Sequence, residues 1–194
     1  MFFVLSGPSG AGKDAVLNRM KEWRFPCYYV VTTTTRSRRA EEKHGIDYHF
    51  TSVSEFRDMV QRGEMLEWAE VYGNWYGVPK QQIKQALEEG EDCIARVDVQ
   101  GAATIKKLLP QAVLVFLESP SVEGYEERLR QRNTESEVGL RARLESVEKE
   151  MKSLPLFDFI VMNHQGELDS AVSKVIAIVT AERCRVDRRT VELK

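Results

Sequence analysis

Gly7-Pro8-Ser9-Gly10-Ala11-Gly12-Lys13-Asp14 follows the apolar run Phe2-Phe3-Val4-Leu5 and leads into Ala15-Val16-Leu17-Asn18-Arg19-Met20. The order is strand, glycine loop, helix, and the spacing G-x-x-x-x-G-K is that of a phosphate-binding loop. In such a loop the glycines let backbone N–H groups curl round phosphate oxygens, a helix N-terminus faces the anion, and the lysine reaches the outer phosphates. A nucleoside triphosphate is the expected ligand. Asp14 stands where a Ser or Thr hydroxyl ordinarily meets magnesium. A carboxylate oxygen can ligate magnesium as well, and an acid in the first helical turn can equally serve the helix dipole alone; the residue type leaves both roles open.

A second set of chemically capable residues follows. Thr32-Thr33-Thr34-Thr35 runs into Arg36-Ser37-Arg38-Arg39, then a polar loop with Glu41, Glu42, Gly45, Asp47 and Tyr48. Glu67 interrupts the apolar stretch Met65-Leu66-Glu67-Trp68-Ala69. Between Tyr125 and Met151, Arg128, Arg130, Arg132, Arg141 and Arg143 surround Asn133-Thr134-Glu135-Ser136-Glu137. Alone, that segment reads as a solvated helical hairpin whose arginines pair with Glu126, Glu127, Glu135 and Glu145. Beside a phosphate loop it reads differently, because phosphoryl transfer needs cations on the travelling charge and a cover that excludes water.

The elements that must position these residues alternate. Phe2 to Leu5, Cys27 to Val31, Cys93 to Val99, Ala112 to Leu117 and Phe157 to Met162 are strand-length apolar runs followed by helical patterns. They predict an α/β fold of three layers with about five mostly parallel strands. Ser52-Val53-Ser54-Glu55 is a capping-box pattern, and Gly73-Asn74 supplies a turn between Met65–Ala69 and Trp75–Val78, predicting a small antiparallel sheet. Pro79 opens a further helix. At 194 residues the chain suits one domain with small inserted lobes. Its formal charge of -2 hides no long single-sign block, so a nucleic-acid or membrane-surface role has no electrostatic support. The three cysteines are odd in number and far apart, which argues for a reducing compartment, and no apolar run approaches membrane-spanning length, so a cytoplasmic protein is expected.

Taken together, GPSGAGKD, TTTTRSRRAEEKHGIDYHF, EFRDMVQRGEMLEWAEVYGNWYGV, VDVQG and RLRQRNTESEVGLRARL resemble the guanylate kinase family in this order. The resemblance spans nearly the whole chain. It implies a P-loop kinase fold whose core comprises about 1–31, 90–124 and 154–182, with a GMP-binding lobe at about 32–89, an Arg-rich helical lid at about 125–153 and a tail at 183–194. It implies transfer of the ATP γ-phosphoryl group to GMP, and to dGMP, with Mg2+. ATP would lie along Gly7, Pro8, Ser9, Gly10, Ala11, Gly12, Lys13, Asp14 and Ala15, with Asn163 at adenine and the lid residues Arg128, Arg132 and Arg143 on its phosphates. Lys13 and those arginines would be the catalytic cations. Arg36, Arg39 and Tyr48 stand where the family grips the GMP phosphate, Tyr76 joins them, and Glu42, Gly77 and Val78 line the same substrate site. Glu67 stands where the family reads guanine, Thr32 assists at the base, and Asp98 lies near ribose, base and metal; Asp14 and Asp98 are the candidate Mg2+ ligands.

The chemistry agrees with those assignments. Two guanidinium groups offer forked donors to a phosphate dianion. Guanine shows N1–H and N2–H₂ side by side, and a carboxylate only accepts. The alternatives are an exposed basic turn at Arg36 to Arg39 and a rim acid at Glu67. Four positions depart from the family: Asp14, Val78 for a hydroxyl donor, Arg96 for the first acid of a D-x-D pair, and Asn133 for a lid glycine. Arg96 and Asp98, two apart on an expected strand, would share a face and could pair. Two other readings compete. One is a ribose 1,5-bisphosphate phosphokinase, which also resembles this chain in G-K-D and Y-G-V; the other is a guanylate kinase-like binding module without chemistry.

Overall fold

The computed structural model describes residues 1–121, 124–126, 130 and 137–193, and the side chains of all of these except 137–143. Strand β1 (Phe2–Ser6) is buried along its whole length, as the apolar run Phe2-Phe3-Val4-Leu5 requires of a strand covered on both faces. Helix α1 (Lys13–Glu22) follows it. Then come β2 (Tyr28–Tyr29), β3 (Thr33–Thr34), β4 (His49–Phe50), α2 (Val53–Gln61), β5 (Met65–Val71), β6 (Asn74–Pro79) and α3 (Lys80–Glu88). The chain continues through β7 (Cys93–Arg96), α4 (Val99–Leu108), β8 (Val113–Glu118), α5 (Glu137–Met151), a 3-10 turn at Leu154–Leu156, β9 (Phe159–Met162) and α6 (Leu168–Arg183). A five-stranded sheet has the order β2-β7-β1-β8-β9, with β2–β7 and β8–β9 parallel. A four-stranded sheet has the order β4-β3-β6-β5. Its β3–β6 and β6–β5 pairs are antiparallel, and β4 adds to the edge in parallel.

The chain forms two compact units. One comprises Met1–Val4, Cys27–Ala112 and Thr190–Lys194, and so holds the whole four-stranded sheet with α2, α3 and α4. The other comprises Leu5–Pro26 and Val113–Arg189, with the glycine loop, α1, β8, β9 and α6. The three cysteines are unbridged. Among the described residues no helix is long and apolar enough to cross a membrane.

Some local details differ from the sequence expectation, and within the strand expected over Cys27 to Val31 only Tyr28–Tyr29 is paired. The strand predicted over Cys93 to Val99 stops at Arg96, because Asp98 turns the chain into α4 by accepting the Gly101 N–H at 2.8 Å as an N-cap. Arg96 and Asp98 therefore do not share one strand face, as was expected of them. The last apolar strand begins at Phe159 rather than Phe157, after the 3-10 turn.

The capping box at α2 is complete, with Ser52 accepting from the Glu55 N–H and Glu55 accepting from the Ser52 N–H. It starts a helix whose Phe56 is fully buried against β6, where Gly77 has no Cβ and Trp75 lies at 5.9 Å between ring centroids. Phe56 is thus the apolar pin of the lobe that carries β3 to β6. Phe56→Ala should destabilise this unit by about 3–5 kcal/mol, read as a lowered urea midpoint; a change under about 1 kcal/mol would show that the lobe does not depend on this contact.

Candidate active site

The unit built on β8 and β9 carries an anion cradle. Gly7 and Gly12 have φ of 135° and 97°, left-handed values that only glycine adopts without strain. A Cβ on Gly7 would run into the Leu117 carbonyl and one on Gly12 into the Asn163 amide, so the loop packs closer than any side chain permits. Asn163, buried just after β9, donates Nδ2 to the Ala11 carbonyl at 2.8 Å. Lys13 folds back over the loop, its Nζ donating to Gly7 O at 2.5 Å and Pro8 O at 3.0 Å. Gly12 caps α1 without a side-chain hydrogen bond, so the helix opens on backbone N–H groups aimed at whatever anion fills the loop. Asp14, half-buried, sits in that first turn. Arg128 and Arg132 lie outside the described residues; Arg143 lies on α5, with its side chain outside them.

The other unit carries a basic cluster and, separately, a buried acid. Arg36 donates Nη2 to Glu42 Oε1 at 2.7 Å, Arg39 approaches the same oxygen at 3.6 Å, and the Arg39 N–H donates to Glu42 Oε2 at 2.9 Å. Burial pushes the Glu42 carboxyl up, but the Arg36 hydrogen bond, the Arg39 N–H and both cationic charges outweigh it and leave it below the usual range. Burial likewise works against the charge on Arg36, and the Glu42 hydrogen bond and charge restore it and raise its pKa overall. Glu42 is therefore an ionised strut that holds two guanidinium groups in place. Tyr48 lies in the same cluster, its ring 6.1 Å from that of Tyr76 and 5.3 Å from the Arg36 guanidinium carbon. The structure thus brings together Arg36, Arg39, Glu42, Tyr48 and Tyr76.

Glu67 is 5% exposed while Trp68 is 44% exposed. Neighbours along a strand point to opposite faces, so the tryptophan next in sequence does not share the acid's surroundings. A bulge between Met65 and Glu67 lets Met65, Leu66 and Glu67 all be buried. The Glu67 carboxyl lies against Gly101, where a Cβ would come within 2.6 Å of Oε2 and 3.1 Å of Asp98 Oδ1. Burial first, and the Asp98 charge second, push the Glu67 carboxyl up to about 8. Val78 is opposite Glu67 in the strand register and fully buried. Thr32 Oγ1 and Thr33 Oγ1 are buried without a hydrogen-bond partner among the described residues.

Two residues of this unit were not singled out for such roles in the sequence. Gly101 makes room for the Glu67 carboxyl, and a glycine inside a helical pattern is the signal that marks such a close approach. Arg96 donates to the Asp47 carbonyl and lies over the Tyr48 ring; no spacing rule links residues so far apart.

A glycine cradle over a helix N-terminus and a strutted arginine pair define a phosphate-handling protein of the P-loop class. A family model described as guanylate kinase matches residues 2–182. The chain is 43% identical over its full length to a protein named guanylate kinase 2, chloroplastic/mitochondrial, of Oryza sativa subsp. japonica, covering 68% of that protein. It is 38% identical to a guanylate kinase of Desulfitobacterium hafniense, over 97% of this chain and 94% of the other. The crystal structure of guanylate kinase from Anaplasma phagocytophilum superposes with a TM-score of 0.80 at 28% identity, covering 96% of this chain and 87% of that one. The chain belongs to the guanylate kinase family.

The Glu67 environment has a measurable consequence. Its folded-state pKa of about 8 exceeds the usual 4.5, so the folded state gains stability from holding that proton. The gain is fully present below about pH 4.5 and is lost as pH rises through 8. In the ligand-free protein the melting temperature of Glu67→Gln should therefore rise relative to wild type between pH 5 and 8 and then level off. Parallel melting curves across that range would show that the acid titrates normally.

Proposed function

We propose that this chain transfers the γ-phosphoryl group of ATP to GMP, and to dGMP, giving ADP and GDP or dGDP. The observation that carries the reading is the Glu67 carboxyl, buried at 5% exposure with another carboxylate, Asp98, as the charge that acts on it. A buried acid in that setting calls for donors, and the paired N1–H and N2–H₂ of guanine supply two on one edge. Adenine presents a lone pair at N1 and no donor at C2, leaving an ionised Glu67 desolvated and unpaired. The Thr32 hydroxyl assists at the base, Gly77 and Val78 form the adjoining wall, and Asp98 serves the ribose side. Arg36 and Arg39 take the GMP phosphate in forked hydrogen bonds, already charged and oriented by Glu42. Tyr48 and Tyr76 add neutral donors.

On the ATP side, the backbone from Gly7 to Ala15 and Lys13 hold the β- and γ-phosphates. Arg128, Arg132 and Arg143 of the 125–153 lid neutralise the charge that moves, and the Asn163 side of the loop faces adenine. A GMP phosphate oxygen forms the new bond to Pγ as the bond to the β-phosphate bridging oxygen breaks. No general base is needed, because the acceptor phosphate is already a nucleophile; positioning and charge neutralisation do the catalysis. The family's reaction uses Mg2+ to screen the phosphate charge. An ion that arrives on the nucleotide takes one or two carboxylates from the protein. Asp14, beside Lys13 in the first turn of α1, fits that part. Asp98, the N-cap of α4, is the other candidate.

A coupled assay with ATP and GMP, dGMP, AMP, UMP or ribose 1,5-bisphosphate tests the reading. GMP and dGMP should be the preferred acceptors; turnover of the sugar bisphosphate alone would establish the other kinase activity, and no turnover with any acceptor would leave a binding module. Glu67→Gln should raise the GMP KM by at least about tenfold, since the amide accepts one donor and opposes the other, while ATP affinity stays within about twofold. Asp14→Ser should shift the magnesium dependence of turnover, and an unchanged titration would return Asp14 to the helix dipole.

A further inference from the structure

Arg96 is the last residue of β7, far in sequence from the loop at 36–50. Its guanidinium carbon lies 4.1 Å from the centroid of the Tyr48 ring, and its Nη2 donates to the carbonyl of Asp47, the residue before it, at 2.9 Å. One guanidinium therefore engages both the ring of Tyr48 and the backbone that leads into it. The Arg36 guanidinium carbon is 5.3 Å from the same centroid, so two cations act on one phenol.

We infer that Arg96 is a positioning residue for the acceptor phosphate, acting through Tyr48. The inference rests on the reading that Arg36, Arg39 and Tyr48 hold the phosphate of GMP. Charge balance supports it. Glu42 cancels one of the two positive charges on Arg36 and Arg39, leaving that pair one charge short of a phosphate dianion, and Arg96 places a further cation at the neighbouring ring. Geometry supports it as well. A cation within about 6 Å of an aromatic centroid is held by the ring quadrupole, and the fork of arginine can stack on a ring while still donating to a carbonyl. With two cations on the ring, electron density is drawn from the phenol and its O–H becomes a stronger donor to an anion. Lysine could supply the charge but not the stacked fork.

The test is titration calorimetry of GMP and of guanosine, which has the base and no phosphate, against wild type, Arg96→Ala, Arg96→Lys, Tyr48→Phe and Tyr48→Phe/Arg96→Ala, with melting temperatures alongside. Arg96→Ala should weaken GMP binding about tenfold and guanosine binding by less than about twofold. Arg96→Lys, which keeps the charge and the fold, should fall between. In the Tyr48→Phe background, Arg96→Ala should weaken GMP by less than about threefold, because the hydroxyl through which it acts is gone. Equal losses for GMP and guanosine, or a full tenfold loss in the Tyr48→Phe background, would overturn the inference and leave Arg96 a structural residue. Binding is read independently of turnover. GMP that binds with this pattern but is not phosphorylated would refute the kinase reading and keep the role of Arg96; no binding of GMP to wild type would overturn both.

Discussion

An acid can be buried only if something compensates its charge or removes it. Glu67 takes the second course, with a pKa near 8 that keeps it largely protonated at neutral pH when no ligand is present. Much of the surrounding unit is arranged to permit this. The bulge in β5 turns the side chain inward, Gly101 leaves the space its carboxyl occupies, and Asp98 caps α4 so that this glycine is presented at the helix start. The same Asp98 raises the cost of ionising Glu67. The helix cap and the acid's protonation state are therefore linked through one carboxylate.

Glu42 shows the opposite solution with the same side-chain type. It too is buried, yet two guanidinium groups and a backbone N–H hold it ionised. In the proposed reading the difference is in what each acid does before substrate arrives. Glu42 fixes long, rotamer-rich arginines in advance, so that less conformational freedom is lost when a phosphate binds. Glu67 is held largely neutral by burial and by Asp98, and its ionised form is favoured at neutral pH only when donors are delivered to it. One acid preorganises the phosphate cluster; the other makes binding of the base conditional.

Much of this was legible in the sequence. The strand–loop–helix around Lys13, the capping box at Ser52 and the antiparallel pairing of β5 and β6 follow from local rules, since glycine conformation, cap chemistry and alternation act over a few residues. The fold class followed from the alternation of apolar runs and helical patterns. What was not legible depended on distance. The end of β7 at Arg96 follows from the Asp98 cap, a competition between strand continuation and helix initiation that apolar runs do not reveal. That Glu67 is buried while Trp68 is exposed depends on a one-residue bulge, and a residue shift inverts every side chain of a strand. The role of Glu42 as strut, and the meeting of Arg96 with Tyr48, needed the tertiary placement of segments that share no spacing.

In the proposed reading the protonation state of Glu67 also bears on how the base is chosen. A carboxylate accepts two donors and suits guanine, but a protonated carboxyl both donates and accepts, a pattern that the N1 and N6–H₂ edge of adenine could meet. Selectivity therefore does not follow from having an acid at this position; it requires that the ionised form be the one that binds. Guanine's two donors must lower the pKa of Glu67 by enough to expel its proton, against burial and against Asp98. Val78, opposite in register and apolar, contributes no donor toward that work. In the proposed reading more of the discrimination consequently falls on Glu67 and on the buried hydroxyl of Thr32, which has no hydrogen-bond partner among the described residues. At the C6 edge a hydroxyl could donate to the O6 of guanine or accept from the N6–H₂ of adenine, so it discriminates only at the C2 edge, where it would accept from the N2–H₂ of guanine and find no donor on adenine, whichever state the acid is in.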